Sequence, residues 1–204
     1  MEPQSHWESV YARKPADGVS WYRPHLDRSL AIIEAAALPK DARIVDVGGG
    51  ASTLVDDLLD RGFTRLTVMD LSARALDVAR HRLGDRASRV TWIVGDATHR
   101  ALPEGSVDLW HDRAVFHFLR DDDARRRYVD QAHRALRPGG TIVVATFGPD
   151  GPSQCSGLEV VRYDAEGIHA AFGDAFERLS SDQETHVTPW GSAQPFVYCS
   201  CRRA

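Results

Sequence analysis

The sequence has 204 residues, 43% apolar and 26% charged, a composition typical of one ordinary globular domain. Its formal charge of −4 comes from acidic and basic residues interspersed along the chain, so no nucleic-acid partner is expected. Three cysteines do not make a secreted disulfide framework, and the first residues do not resemble an export signal. No apolar run is long enough to cross a bilayer. We therefore expect a cytoplasmic protein without membrane contact.

Strands and helices are predicted to alternate along most of the chain. A helix is expected from Pro24 to Leu38, before a first strand at Arg43 to Val47 that ends in three glycines. The same alternation continues through strand Leu66 to Met69, a helix to about Leu83, strands Val90 to Val94 and Val107 to Trp110, a helix from about Asp121 to Leu136, and strand Thr141 to Thr146. This order predicts a doubly wound α/β fold with a mostly parallel sheet. Its ligand is expected at the carboxyl ends of the strands.

The C-terminal part departs from this alternation. After a helix at Asp164 to Phe172, two β-rich segments, Phe176 to Ser180 and Phe196 to Cys201, follow one another without a helix between them. They predict a C-terminal antiparallel hairpin. We expect a single domain over residues 1–204, in which residues 1–40 form a helical lid.

Three glycines, Gly48, Gly49 and Gly50, close the first strand and open a helix. Glycines at such a turn let backbone N–H groups approach a ligand, and the helix N-terminus favours a negative group there. Asp46 lies two residues earlier in an otherwise apolar strand, where a carboxylate needs a donor or a cation. We therefore expect the turn to bind an anionic group, and the alternative is a turn that serves packing alone.

Acidic residues end the next two strands. Asp70 ends the second, where a carboxylate can accept hydrogen bonds from both hydroxyls of a ribose. Gly95-Asp96-Ala97 ends the third, where the carboxylate can accept a hydrogen bond from the amino group of adenine. A dinucleotide site also has a glycine turn after the first strand and an acid at the end of the second. Here, however, Thr53 stands where such a site has its third glycine, and Asp46 would lie close to the pyrophosphate. The pattern favours a nucleoside that carries an amino acid over NAD.

Four ordered segments resemble the class I S-adenosylmethionine-dependent methyltransferases. Val45 to Ser52 looks like their first motif, Asp70 like their ribose acid, Gly95 to Ala97 like their adenine loop, and Leu136 to Gly140 like the turn entering their fifth strand. The resemblance begins at about residue 41, and Ser52 departs from it by standing where the family often has a further glycine. It implies a seven-stranded sheet whose sixth and seventh strands are the C-terminal hairpin, with S-adenosylmethionine as methyl donor and S-adenosylhomocysteine as product. The residues expected to bind this cofactor are Trp21, Tyr22, His25, Asp46, Gly48, Gly49, Gly50, Asp70, Leu71, Gly95, Asp96, Ala97 and His111.

The candidate catalytic residues follow the fourth strand. His111, Asp112 and His117 lie where a bound methyl group should point, and a neutral imidazole can remove a proton from an acceptor. The alternative is structural: Asp112 pairs with Arg113, His111 packs on adenosine, and His117 forms a wall of the pocket. No metal site is expected, because Cys199 and Cys201 share one strand face without further ligands of metal-binding spacing.

Two other segments are expected to surround the acceptor. Trp21, Tyr22 and His25 offer aromatic surface that can close over a cationic cofactor, with anchoring of the helix as the alternative. The loop from Pro149 to Cys155 follows the fifth strand and has no periodicity, which is typical of loops that shape a pocket.

The expected acceptor is a small molecule, because one domain with a short lid leaves little surface for docking a polymer. Residues 6–11 and 19–22 are similar to an N-terminal segment of a smaller group that includes uncharacterised bacterial members and, more distantly, protein-lysine methyltransferases, so a protein side chain is the alternative. A nucleoside-binding module without turnover is the third hypothesis.

Overall fold

The structure is a computed structural model that describes residues 3–204. Within these residues, nine strands and six α-helices follow one another in this order: α1 (Pro3–Arg13), α2 (Asp27–Ala35), β1 (Arg43–Val47), α3 (Leu54–Asp60), β2 (Arg65–Asp70), α4 (Ala73–Leu83), β3 (Val90–Val94), β4 (Val107–Arg113), α5 (Asp122–Ala135), β5 (Leu136–Phe147), β6 (Gln154–Cys155), β7 (Leu158–Glu159), α6 (Ala165–Phe172), β8 (Phe176–Val187) and β9 (Ala193–Arg203).

Seven of these strands form one sheet in the order β3-β2-β1-β4-β5-β9-β8. The first five pair in parallel, whereas β9 pairs antiparallel with both β5 and β8. This arrangement confirms the predicted doubly wound α/β fold and its C-terminal antiparallel hairpin. The strand order reverses between β1 and β4, and in such sheets a ligand binds in the crevice at this point.

Helices cover both faces of the sheet, and each face has its own apolar core. Leu30 of α2, Leu58 of α3 and Leu76 of α4 pack in the first core. Tyr128 of α5 and Phe172 of α6 pack in the second. Side chains of a strand alternate between faces, so β4 supplies residues to both cores.

Some elements differ from the predicted ones. Strand β4 continues to Arg113, because Asp46 and Val47 of β1 pair with its polar end on one side and β5 pairs with it on the other. The first predicted helix is shorter and spans Asp27–Ala35. Helix α1 lies within the expected helical lid, although its bounds were not predicted, and the small hairpin of β6 and β7 inside the loop after β5 was not predicted.

The domain boundaries stay a prediction, and residues 1 and 2 of the expected lid lie outside the described residues. Helix α1 packs on α4, which brings the lid segment over the carboxyl ends of the strands. Among residues 3–204, no helix combines the length and the apolar character needed to cross a membrane.

Candidate active site

The turn after β1 has space for glycine only. Gly48 has a φ of +66°, and a Cβ there would lie 1.9 Å from Cγ2 of Val115. A Cβ on Gly49 would lie 2.5 Å from Oδ2 of Asp46, and one on Gly50 would lie 2.9 Å from Oδ2 of Asp70. The turn therefore brings the backbone close to Asp46 within β1 and to Asp70 at the end of β2.

The first two amides of this turn are already used. The N–H groups of Gly48 and Gly49 donate to the carbonyl oxygen of Met69, at 2.7 and 3.3 Å. They are not free to bind an anionic group in this conformation, so the expected role of these two amides is wrong for this structure. The glycines instead provide the close approach that a side chain would block.

A cavity of about 540 Å³ lies at the carboxyl ends of β1, β2, β3 and β4. Seven of the residues predicted to bind the cofactor line it: Trp21, Gly48, Asp70, Leu71, Gly95, Asp96 and Ala97. A smaller cavity of about 40 Å³ adjoins the same turn, and Trp21, Tyr22, Asp46, Gly48, Gly49 and His111 line it. The sheet thus brings together side chains that are far apart in the sequence.

Asp70 is a buried carboxylate facing the large cavity. Burial raises its pKa to about 7, and the negative charges of Asp46 and Glu8 act in the same direction. The N–H of Ser72 donates to its Oδ1 at 2.8 Å, which holds the side chain in place and partly offsets this rise. Such a carboxylate gains stability from any ligand hydroxyl that donates to it.

The pKa of Asp70 predicts how nucleoside binding depends on pH. The predicted contact with ribose hydroxyls would favour the ionised carboxylate, whereas the protonated carboxyl prevails when the pH falls below its pKa of about 7. We therefore expect the dissociation constant of S-adenosylhomocysteine to rise about tenfold between pH 8 and pH 6. Calorimetric titration at both pH values checks this, with Asp70→Asn as the variant whose profile should be flat. An affinity of the unmodified protein that is equal at both pH values would contradict this role.

Asp96 is oriented by a short turn of its own. Its Oδ1 accepts hydrogen bonds from the backbone N–H and the hydroxyl of Thr98, both at 2.7 Å. Although burial acts in the opposite direction, these bonds and His99 hold the pKa of Asp96 below its ordinary value. The result is an ionised acceptor on the cavity wall.

His111 connects two strands and a helix. Its Nδ1 lies 2.7 Å from Oδ1 of Asp46, and its Nε2 lies 2.9 Å from the hydroxyl of Ser29. Asp46 therefore has the donor that its buried position requires. Both nitrogens of this imidazole are engaged and only 1% of the residue is exposed, so it is not free to take a proton from an acceptor.

Asp112 faces the opposite side of the sheet. Its carboxylate accepts hydrogen bonds from the N–H groups of Val115 and Phe116, at 2.9 and 3.0 Å, and from the hydroxyl of Tyr128. It is fully buried, and burial raises its pKa to about 6. These contacts fix the chain after β4. The alternative pairing of Asp112 with Arg113 is also wrong, because Arg113 lies near Glu184 instead.

His117 is also fully buried, and it lies outside both cavities. Burial, together with the charge of Arg113, lowers its pKa to about 3, so the imidazole is neutral. Its Nδ1 accepts a long hydrogen bond of 3.4 Å from the N–H of Phe147. His111, Asp112 and His117 therefore do not form the single catalytic patch that the sequence suggested.

Of the three lid residues predicted to contact the cofactor, Trp21 and Tyr22 line a cavity and His25 does not. Trp21 lines both cavities and packs edge-on against Trp7, with ring centroids 5.7 Å apart. His25 lies on the surface with 64% of its side chain exposed, and its Nδ1 lies 2.9 Å from Oδ1 of Asp57. Because His25 lines neither cavity, the structure does not support a cofactor contact for it.

Helix α1 contributes residues that the sequence analysis did not assign to the site. His6, Trp7 and Tyr11 line the large cavity. Glu8 attaches the helix to the start of α4, since its Oε1 accepts a hydrogen bond of 2.7 Å from the N–H of Ala73. The four-residue spacing of Trp7 and Tyr11 is the signal that indicates a helical face here.

Other proteins share this sequence pattern and fold. Residues 44–140 match the family model described as a methyltransferase domain. A ubiquinone/menaquinone biosynthesis C-methyltransferase from Methylobacterium nodulans is 33% identical over 108 residues, which are 52% of this chain and 42% of that protein. An eEF1A lysine and N-terminal methyltransferase from Danio rerio is 22% identical over 200 residues, which are 94% of this chain and 29% of that protein. The chain thus spans less than half the length of either relative.

A solved structure has the same fold. The N-methyltransferase NodS from Bradyrhizobium japonicum, in complex with S-adenosylhomocysteine, superposes with a TM-score of 0.73 at 19% identity, covering 96% of this chain and 97% of that one. Within residues 3–204, no three His, Cys, Asp or Glu side chains cluster in a way that could hold a metal ion.

Proposed function

This chain belongs to the class I S-adenosylmethionine-dependent methyltransferases, and we propose that it transfers a methyl group to a small-molecule acceptor. One observation carries the proposal: the glycine turn of β1, the acid at the end of β2 and the acid after β3 line a single cavity in the order that the motifs predict.

The residues present fit the cofactor. Asp70 would accept hydrogen bonds from the ribose hydroxyls, and Asp96 would accept one from the adenine amino group. Met69 and Val115 supply apolar surface beside these acids. Bound S-adenosylmethionine supplies an electrophilic methyl group on a positively charged sulfur.

The chain's own contribution to transfer is alignment and exclusion of water. In-line methyl transfer gains mainly from positioning of the two reactants, and it does not require a fixed catalytic triad. Helix α1 covers the cavity, and Trp7, Tyr11 and Trp21 contribute aromatic side chains to its wall. This surface keeps water from the reacting groups.

An exposed ion pair at the edge of the cavity supports a small acceptor, because a protein segment would have to displace it to enter. Arg120 and Glu159 both line the cavity with more than half of each side chain exposed, and they form an ion pair of 2.5 Å. The pair joins the segment after β4 to β7 where the cavity meets solvent. The name of the Danio rerio relative supports a protein acceptor as the second candidate.

The direct test is transfer of labelled methyl from S-adenosylmethionine into a cell extract separated into small molecules and macromolecules. We expect label in the small-molecule fraction and production of S-adenosylhomocysteine. Label in protein alone would favour the second candidate. Cofactor binding without transfer to either fraction would favour the nucleoside-binding module.

Substitution of Asp70, the carboxylate proposed to bind the ribose, tests the cofactor assignment. Asp70→Ala is expected to weaken binding of S-adenosylhomocysteine by about 1 to 3 kcal/mol, because two ribose hydroxyls lose their acceptor. The matched control is Asp77→Ala on α4, since Asp77 is over half exposed and pairs with Arg80 rather than facing the cavity. Calorimetry on both variants measures the difference, and equal affinities would remove Asp70 from the site.

The location of the protein stays a prediction. The three cysteines, Cys155, Cys199 and Cys201, are all free and buried. We propose a cytoplasmic location on the cysteine usage of the sequence alone.

A further inference from the structure

Arg113, the last residue of β4, carries a guanidinium group that the cofactor assignment leaves unused. Its side chain is only 6% exposed and lines both cavities, so it lies at the boundary between them. Its Nε donates to the hydroxyl of Tyr198 at 3.1 Å, and its Nη1 donates to the carbonyl oxygen of Trp21 at 3.3 Å. One face of the group packs on the ring of Phe196, 4.3 Å from its centroid.

The remaining nitrogen lacks an acceptor. Nη2 of Arg113 is buried and has no hydrogen-bond partner among residues 3–204. Its nearest carboxylate oxygen belongs to Glu184 and lies 4.0 Å away, beyond hydrogen-bond distance. A buried donor without a partner is destabilising, so a ligand oxygen that reached Nη2 would recover that loss.

The charges around Arg113 are not balanced either. Glu184 is shared, because Nη1 of Arg23 donates to its Oε1 at 2.5 Å and the Tyr198 hydroxyl donates to its Oε2 at 2.9 Å. Two guanidinium groups thus face one carboxylate at this position. The second acid near Arg23 is Asp27, which is 74% exposed and screened by solvent. A ligand with one negative charge would balance the excess positive charge of Arg23 and Arg113.

The space beside this group is apolar and aromatic. Trp7, Trp21 and Phe118 line the large cavity, and the Trp7 and Phe118 rings stand edge to face with centroids 5.2 Å apart. Cys155 lines the same cavity and is buried. A planar ring fits such walls, and a carboxylate matches the planar fork of a guanidinium.

We propose that Arg113 binds the carboxylate of the methyl acceptor, and that the acceptor is a small aromatic carboxylic acid. This inference rests on the proposed function, and it narrows the acceptor to a class. The buried cation also disfavours a protonated lysine side chain at the same position. The other source of a carboxylate in this region is the amino-acid part of the cofactor itself, and the experiment separates the two.

Benzoate and its uncharged analogue benzamide are the probes, each titrated by calorimetry into the protein saturated with S-adenosylhomocysteine. We expect benzoate to bind at least tenfold more tightly than benzamide. In Arg113→Met this preference is expected to disappear, whereas Arg113→Lys should keep part of it. Equal binding of the two probes to the unmodified protein, with S-adenosylhomocysteine bound normally, would overturn the inference and leave the proposed function intact.

The cofactor's carboxylate is tested with 5′-methylthioadenosine, which lacks the amino-acid part. If Arg113→Met weakened the binding of S-adenosylhomocysteine about tenfold but left the binding of 5′-methylthioadenosine unchanged, Arg113 would belong to the cofactor site and the inference would fail. We expect the variant to bind both nucleosides within threefold of the unmodified protein. Failure of the unmodified protein to bind S-adenosylhomocysteine would instead remove the proposed function, and this inference with it.

A second variant gives an effect that loss of structure cannot imitate. Glu184→Gln removes the negative charge that competes for Arg113, so it should tighten benzoate binding several-fold and leave benzamide unchanged. Unchanged or weaker benzoate binding in Glu184→Gln would count against the charge argument.

Discussion

Gly48→Ala is expected to reduce the free energy of unfolding by about 3 kcal/mol and to abolish measurable binding of S-adenosylhomocysteine. The added Cβ would lie 1.9 Å from Cγ2 of Val115, so the segment after β4 must move. Overpacking of this kind costs about 1 to 3 kcal/mol, and a φ of +66° adds about 1 to 2 kcal/mol for any residue with a Cβ. Urea unfolding and calorimetry measure the two effects.

Gly62→Ala is the matched control. Gly62 also has a positive φ, of +84°, but a Cβ there would meet no atom within 4 Å in the described part of the chain. We expect a loss of about 1 kcal/mol from backbone strain and normal nucleoside binding. The double variant Gly48→Ala with Val115→Ala should recover part of the lost stability, because it removes the methyl group that clashes. If Gly48→Ala behaved like Gly62→Ala, the close packing of the turn would be contradicted.

Asp112→Ala is expected to reduce the free energy of unfolding by about 3 kcal/mol, since the buried N–H groups of Val115 and Phe116 and the hydroxyl of Tyr128 lose their acceptor. Asp112→Asn should cost less than Asp112→Ala, about 1 to 2 kcal/mol, because its amide oxygen can still accept from the Val115 N–H, whereas its NH₂ stands where Oδ2 accepted from the Phe116 N–H and the Tyr128 hydroxyl. We also expect Asp112→Asn to keep its turnover. A stable Asp112→Asn protein without activity would restore Asp112 as a catalytic residue.

The pH dependence of the Asp112→Ala effect follows from its pKa. The folded value of about 6 lies above the unfolded value of 3.8, so the carboxyl contributes stability at low pH that is lost as the pH rises through 6. The difference in stability between the unmodified protein and Asp112→Ala should therefore be larger at pH 5 than at pH 7. Urea unfolding at both pH values checks this sign, and a larger difference at pH 7 would contradict it.

The sequence predicts the sheet, and the meeting of Asp70 and Asp96 at one cavity, because both depend on local patterns. Apolar strands that end at or just before Gly48, Asp70 and Asp96 carry their signal within a few residues. In a parallel sheet the carboxyl ends of such strands meet at one edge. The large cavity at this edge is therefore foreseeable from strand order, although its volume is not.

The separation of His111 from Asp112, which the sequence places in one candidate catalytic patch, could not be predicted in the same way. His111, Asp112 and Arg113 look like a polar loop in the sequence, but pairing with β1 and β5 keeps them in the strand. Neighbouring residues of a strand point to opposite faces of the sheet. The side chains of His111 and Asp112 therefore lie on different faces although the two residues are adjacent in the sequence. Their partners, Ser29 and Tyr128, are distant in the chain and carry no local signal.

Parallel titrations with S-adenosylhomocysteine and with NAD test the central claim most directly. The layout of the glycine turn, Asp70 and Asp96 around one cavity predicts binding of S-adenosylhomocysteine by the unmodified protein, no heat of binding with NAD, and weaker S-adenosylhomocysteine binding in Asp70→Ala. Binding of NAD without binding of S-adenosylhomocysteine would contradict the assignment of this cavity.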